Sequence, residues 1–233
     1  MIRIQKLPPP IALSQYKRQC KGEMSRGSTH VLDDFPEKDS LRQQLAEEQG
    51  FICAYCMSRI SLDFHATVIE HAKPKTQYPE EQLDYGNPLL CCNGNTNGIG
   101  TQHHCDSSKR NHEIKYNPAT HPCIETTIRY RHNGQVFSEE AQWNFELNTV
   151  LNLNTSRLCN NRKAVWNGII VWLSQSHGQR TRNEIDAKLR ATCSRDQEKR
   201  LPEYCGVIVY VLKRHPSYRS RYYRSDVRHS VSS

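Results

Sequence analysis

The sequence has no apolar run near the length that a membrane span needs, and its mean hydropathy is -0.79. It lacks a signal-peptide or lipidation pattern, because the first ten residues carry only isolated apolar side chains beside Arg3 and Lys6. It also lacks an internal repeat and a heptad pattern long enough for a coiled coil. We therefore expect a soluble, cytoplasmic protein that does not bind membranes.

Cysteine and basic residues are plentiful. The 233 residues suffice for one large domain or two small ones, and they contain 10 cysteines. In a reducing cytosol, spaced cysteines indicate metal ligands before disulfides. Lys and Arg number 32 against 24 Asp and Glu, a net charge of +8, which favours polyanionic partners such as nucleic acids.

The N-terminal stretch to about Thr29 is basic and turn-rich, and its three consecutive prolines at 8–10 interrupt any periodicity. We expect an extended basic arm over residues 1–33. Leu41 and Leu45, after an acidic first turn, then predict a helix that ends near Gly50 as its C′ residue.

Between Cys53 and Asn117 the sequence is turn-dense, with one β-type run at residues 66–69. Further on, Asn133-Gly134 separates two β-type runs, at residues 124–130 and 135–137, and is suited to a type I′ hairpin turn.

Helical spacing dominates from Ser156 onward. Leu158, Val165, Ile169 and Trp172 share one helix face, and Ile185 and Leu189 mark another amphipathic segment. The apolar run at 205–212 fits helix or strand, and Pro202 favours helix. A basic, tyrosine-bearing tail follows at 213–228, which could bind nucleic acid or remain solvated; its candidate residues are Arg219, Arg221, Tyr222, Tyr223 and Arg224.

Cys53 and Cys56 have the Cys-x-x-Cys spacing of a zinc knuckle, and a second pair must complete a tetrahedral site. Cys92 and Cys105 are the candidates, although 12 residues separate them. Other possible ligands stand next to them, namely Cys91, His103 and His104. The remaining cysteines are better interpreted as small buried hydrophobes in most cases.

Glu70-His71 follows the β-type run and places a hard oxygen ligand beside an imidazole, a pair that suits metal-assisted hydrolysis. Asp106 and Lys109 would share a face of a short helix directly after Cys105. Taken alone, His71 is as well explained as an ordinary loop histidine, and Asp106 as a helix N-terminal residue.

The order Cys-x-x-Cys, Glu-His, Asn, Cys and Cys-Asp-x-x-Lys resembles the HNH endonucleases. The resemblance implies an α+β fold, with a small zinc-stapled ββα-metal (HNH) core at 34–118 and a hairpin plus a mainly α-helical region at 119–233. It implies that His71 is the general base, that Asn87 supports the catalytic loop and that Lys109 lies near a phosphate. Glu70 and Asp106 would hold a catalytic Mg²⁺ or Mn²⁺, with Asn111 and His112 as nearby alternatives. The zinc, saturated by four cysteines, would be structural.

A closer resemblance extends over much of the chain, to the PtuB family of HNH nuclease subunits from Septu and related retron anti-phage defence systems. It is carried by RIQKLP at 3–8, FICAYC at 51–56, LDY at 83–85, HCD at 104–106, VLNLN at 150–154 and NRKA at 161–164. The resemblance implies a PtuA-like ATPase subunit as partner and a retron reverse transcriptase with its DNA as a possible one. The sequence itself has no GxxxxGK[ST] motif.

Cleavage of phage DNA is therefore the leading hypothesis, and cleavage of an RNA such as tRNA by the same site is an alternative. A zinc-stapled nucleic-acid-binding module without catalysis is another, in which the basic arm and tail contact phosphates. The helical half could also serve as a docking platform for the ATPase, which is compatible with catalysis.

Overall fold

A computed structural model of the chain describes residues 1–97, 102–175 and 180–219. The fold mixes helices with small antiparallel sheets. The helices are α1 (Ile11–Gln19), α2 (Lys21–Ser25), α3 (Lys38–Glu48), α4 (Asp106–Lys109), α5 (Ile124–Thr127), α6 (Ala141–Phe145), α7 (Ser156–Ser174), α8 (Arg182–Cys193), α9 (Cys205–Arg214) and α10 (Pro216–Arg219). The strands are β1 (Thr67–His71), β2 (Pro88–Cys92), β3 (Arg129–Tyr130) and β4 (Val136–Phe137). None of the helices in the described ranges has both the length and the apolarity to cross a membrane.

The extended conformation predicted for the N-terminal stretch is wrong. After the prolines the chain forms α1 and α2, and the sparse apolar side chains Ile4, Leu13 and Met24 are buried in the core. Lys6 anchors the preceding segment, since its Nζ donates to the Pro88 carbonyl (2.9 Å) and pairs with Glu48 (3.2 Å). A few buried side chains and one half-buried cation are enough to order a stretch that has no periodic pattern.

Helix α3 ends as the sequence predicts. Gly50 follows the last turn in the left-handed conformation (φ +62°). Its N–H donates to the Glu47 carbonyl (3.1 Å), and the next N–H, of Phe51, donates to Ala46 (2.8 Å). This pair of bonds is a Schellman motif, which satisfies the last carbonyls of the helix and turns the chain toward Cys53.

Strands β1 and β2 form an antiparallel pair in which Thr67 faces Cys92 and His71 faces Pro88. The β-type run predicted at residues 66–69 is therefore a strand, shifted to end at His71. A loop of residues 72–87 joins the two strands, and helix α4 begins directly after Cys105. The chain order is strand, loop, strand, short helix.

The hairpin predicted around Asn133-Gly134 is present as β3 and β4, but the turn is not type I′. Of the two residues Asn133 and Gly134, only Gly134 has a positive φ (+85°), and its N–H donates to the Arg131 carbonyl (2.9 Å). That pattern is a type I turn followed by a glycine bulge. Glycine is required for a second reason, because a Cβ there would lie 2.0 Å from the Cys159 carbonyl oxygen of α7.

The helices predicted after Ser156 are confirmed. Leu158 and Ile169 of α7 and both Ile185 and Leu189 of α8 are buried, and α9 packs against both helices. The tail predicted at 213–228 is described only to residue 219, so Arg221, Tyr222, Tyr223 and Arg224 lie outside the described residues.

A buried arginine joins the hairpin to the helical part. Arg162 of α7 is almost fully buried and donates from Nε to the Gly134 carbonyl (2.6 Å) and from an Nη to the Leu153 carbonyl (2.7 Å). Nearby, the Leu151 carbonyl accepts from the Cys105 N–H (2.9 Å). The VLNLN and NRKA segments are thus one packed unit that reaches the cysteine cluster.

Helix α9 packs directly on the Cys-x-x-Cys knuckle. The Tyr204 N–H donates to the Met57 carbonyl (3.0 Å), and Glu203 accepts from the Arg59 N–H (2.6 Å). A Cβ on Gly206 would meet the Met57 sulfur at 2.9 Å, so the helix approaches as closely as a glycine allows. Apolar side chains from the N-terminal segment, the cysteine-rich region and these helices form one core.

Candidate functional site

The four cysteines that the sequence singles out come together. Sulfurs of Cys53, Cys56, Cys92 and Cys105 all lie within 4.8 Å of one another, and the Cys53–Cys105 and Cys56–Cys92 pairs are 3.8 Å apart. Zinc–sulfur bonds of about 2.3 Å in a tetrahedron place the sulfurs about 3.8 Å apart. The cluster could therefore hold a metal ion such as a structural zinc.

The chemistry of four clustered cysteines suits a bound cation. Burial raises the pKa of the Cys105 thiol well above its ordinary value, as it does for the neighbouring Cys91. Zinc binds cysteines as thiolates, so a bound ion would remove the cost of burying these sulfurs uncoordinated. The cysteine set therefore fits zinc in number, chemistry and spacing.

Unusual backbone conformations place the ligands. Met57 (φ +65°) closes the first knuckle, with its N–H donating to the Cys53 carbonyl (3.0 Å). On the other side Gly94 (φ +66°) accepts from the His104 N–H (3.0 Å), directly before Cys105 (φ +54°). The hydrogen bond between Gly94 and His104 thus brings Cys92 and Cys105 together despite the residues between them.

The other candidate ligands take different positions. His104 lies beside the cluster, with Nδ1 3.3 Å from the Cys105 sulfur and 3.9 Å from the Cys92 sulfur, a geometry in which the ring N–H donates to thiolates. Ser58 contacts Cys56 in the same way, with its hydroxyl 3.0 Å from the sulfur. Cys91 is buried on β2 outside the group of four.

A second cluster lies at the end of β1. Glu70 is buried, and the Asp106 carboxyl at the start of α4 lies close enough to influence its protonation. Burial raises the pKa of Glu70 well above its ordinary value, Asp106 raises it further, and Lys109 opposes the shift. The alternatives Asn111 and His112 lie on exposed chain after α4. The sequence-predicted carboxylates are therefore neighbours.

Lys109 lies in the interior of the fold. Its side chain is 1% exposed, and its Nζ lies 2.5 Å from Glu70 Oε1 and 2.8 Å from the His71 carbonyl oxygen. No surface of this side chain is left for a phosphate. Lys109 instead joins α4 to the end of β1 and supplies a positive charge inside the carboxylate cluster.

His71 is also buried, and its ring has a defined partner. Nε2 lies 3.0 Å from the Gln82 carbonyl oxygen. Because a carbonyl oxygen can only accept, the proton of the neutral ring is on Nε2, and Nδ1 carries the lone pair. Burial lowers the pKa of His71 to about 4, so the ring is neutral at physiological pH.

Asn87 lies where the 72–87 loop returns to β2, and its side chain holds the loop closed. Oδ1 accepts from the Lys73 N–H (2.8 Å), and Nδ2 donates to the carbonyls of Lys73 (3.0 Å) and Glu81 (3.1 Å). The amide therefore bridges both ends of the loop that carries Gln82.

Sequence reasoning missed Gln82 and Ser58. Gln82 stands in the polar run Glu-Glu-Gln, which is typical of a solvated surface, yet it is fully buried. Its role depends on a carbonyl oxygen, which every residue has, so the sequence contains no signal for it. Ser58 lies just after the Cys-x-x-Cys knuckle, where the spacing of the cysteines does not require any particular residue type.

Neither a protein-family model nor a curated protein matches this chain.

Proposed function

We propose that this chain is a metal-dependent HNH-type endonuclease that hydrolyses nucleic-acid phosphodiesters. One observation carries the proposal: a buried neutral histidine, oriented by a carbonyl, directly follows one of two interacting carboxylates on a strand–loop–strand–helix unit that also carries a four-cysteine cluster. A neutral histidine with a free lone pair is a general base, and paired carboxylates are ligands for a hard cation.

The carboxylate pair fits a divalent cation. Asp106 raises the pKa of Glu70, so the Glu70 carboxyl resists ionisation unless a cation lies nearby, and Lys109 supplies only one positive charge. Glu70 and Asp106 would hold Mg²⁺ or Mn²⁺ through their oxygens. When bound, the ion would stabilise the negative charge that develops on a phosphate in the transition state.

The residues of the chain supply the remaining chemistry. His71 takes a proton from the attacking water at Nδ1, the ring nitrogen that makes no hydrogen bond within the described part of the chain, while Nε2 stays bonded to the Gln82 carbonyl. Lys109 fixes the backbone at His71 and the carboxylate of Glu70 in one contact each, so base and ligand keep a fixed separation.

The substrate and the biological setting are further parts of this proposal. The net charge of +8 favours a polyanion, and phage DNA is the proposed substrate, with tRNA as the alternative. The chain would act as the nuclease effector of an anti-phage defence complex with an ATPase subunit. Comparing growth when the chain is expressed alone and with that ATPase tests the partnership, since equal toxicity in both would contradict control by the ATPase.

The test of catalysis compares wild type, His71→Ala and His132→Ala in zinc-loaded form, with the ATPase present. His132 is an exposed histidine of the β3–β4 turn and serves as the matched control. Each protein is assayed on duplex DNA and on total tRNA with Mg²⁺ or Mn²⁺, after its zinc content has been measured.

We expect cleavage by wild type and His132→Ala and none by His71→Ala. Equal cleavage by all three would reject His71 as the base. If none cleaves either substrate, salt-dependent binding to the same nucleic acids would favour a zinc-stapled binding module without catalysis.

A further inference from the structure

Gln82 is fully buried, and every polar atom of its side chain is bonded. Nε2 donates to the carbonyls of Ser28 (2.7 Å) and Pro79 (2.7 Å), and Oε1 accepts from the Leu32 N–H (3.2 Å). An amide with three bonds in the interior fixes its own residue in position and orientation. The backbone of Gln82 is therefore one of the best-anchored points of the 72–87 loop.

That fixed backbone carries the carbonyl that meets His71. The contact of 3.0 Å to Nε2 selects one tautomer of the ring and holds its plane. The side chain of Gln82 thus does not touch the ring, but the position of the ring depends on it. A shift of the loop by about 1 Å would break the Nε2 contact and leave the ring free to change tautomer or rotate.

Two of the three anchors of Gln82 belong to the N-terminal segment, residues 28–33. The same segment holds the loop at a second point, where Asp33 Oδ2 lies 2.5 Å from Lys75 Nζ. The N-terminal stretch therefore packs against the loop that orients His71.

We propose that Gln82 is a positioning residue for His71, and that the N-terminal segment 28–33 sets the orientation of the general base through it. For the catalytic consequence this inference rests on the proposed nuclease function. The effect on the histidine ring itself does not depend on any activity.

The experiment compares wild type, Gln82→Met and Gln77→Met in zinc-loaded form. Gln77 is on the same loop and donates once, to the Asn111 carbonyl on exposed chain, so it is the matched control. Long-range ¹H–¹⁵N NMR of the imidazole nitrogens, without Mg²⁺ or Mn²⁺, reports the tautomer of His71. Nuclease assays with Mg²⁺ then separate kcat from KM.

We expect the Nε2–H tautomer in wild type and Gln77→Met, and a mixed or Nδ1–H population in Gln82→Met. For cleavage, kcat should fall about tenfold or more in Gln82→Met with KM unchanged. An unchanged tautomer and a kcat within twofold of wild type in folded, zinc-loaded Gln82→Met would overturn the proposal. A changed tautomer in a protein that cleaves nothing would instead count against the nuclease function alone.

If Gln82→Met does not fold, Gln82→Glu carries the test. A protonated glutamic acid keeps the acceptor for Leu32 and one donor, so we expect a mixture of tautomers in which Nε2–H is reduced relative to wild type. A fully wild-type tautomer in Gln82→Glu, with one of the two donor bonds lost, would contradict the role of these anchors.

Discussion

Replacing Gly94 by alanine should weaken the cysteine cluster from a position that holds no ligand. Gly94 has φ +66°, and a Cβ there would lie 2.0 Å from the His104 carbonyl oxygen and 2.9 Å from Ser107. The left-handed backbone alone destabilises alanine by about 1 to 2 kcal/mol. Relieving the clash also breaks the hydrogen bond from the His104 N–H, worth about 1 kcal/mol.

We therefore expect Gly94→Ala to lower the free energy of unfolding by about 2 to 3 kcal/mol and Tm by roughly 5 to 10 °C. Because His104 directly precedes the ligand Cys105, zinc affinity should fall about tenfold or more, as it does when groups that orient a ligand are moved. Chelator competition measures the affinity, and thermal melting with zinc in excess measures Tm.

Gly27→Ala separates clash from backbone strain. Gly27 has φ +86° and no atom within 4 Å of a Cβ, so only the conformational penalty applies. Its zinc affinity should equal that of wild type. If Gly94→Ala matched Gly27→Ala in both Tm and zinc affinity, the close approach to His104 would not constrain the site and the reasoning would be refuted.

Three further predictions concern buried groups. Lys109→Met removes the cation that opposes the raised pKa of Glu70, so Glu70 takes up a proton, and the free energy of unfolding should fall by about 1 to 3 kcal/mol in urea titrations; an unchanged free energy would contradict a stabilising contact between Lys109 and Glu70. Because burial lowers the pKa of His71 to about 4, the unfolded chain binds this proton first as the pH falls below 6.5. Wild type should therefore lose about 2 kcal/mol between pH 7 and pH 5 that His71→Gln does not lose, and parallel pH profiles would refute this. Gly134→Ala places a Cβ against the Cys159 carbonyl and should lower Tm by roughly 5 to 10 °C, whereas an unchanged Tm would mean that the hairpin moves freely on α7.

The sequence predicts features that depend on local chemistry. Gly50 ends α3 because a glycine after a helical pattern adopts the left-handed conformation at low cost, and the structure has it there. The cysteine group was predictable from residue type and spacing in its first half. The spacing does not identify the second pair. That pair is predicted from the requirement for four ligands in a tetrahedral site, and in the structure Cys92 and Cys105 join the group.

Other features depend on contacts between distant residues, which spacing does not encode. The N-terminal stretch lacks periodicity, yet it forms α1 and α2. Their side chains Leu13 and Met24 are buried by contacts with the rest of the chain. The turn at Asn133-Gly134 is decided by the approach of α7, not by the dipeptide alone. Lysine is a residue type that usually lies on the surface. Lys109 is buried because it pairs with Glu70, and that contact depends on the fold.

The packing of α9 on the knuckle makes metal binding and helix docking linked equilibria. Zinc binding orders Met57, and an ordered Met57 stabilises the contacts with Tyr204 and Gly206. By linkage, those contacts raise the affinity for zinc by the same free energy. Removal of the ion should therefore lower the hydrogen-exchange protection of α9, although no atom of that helix is a ligand.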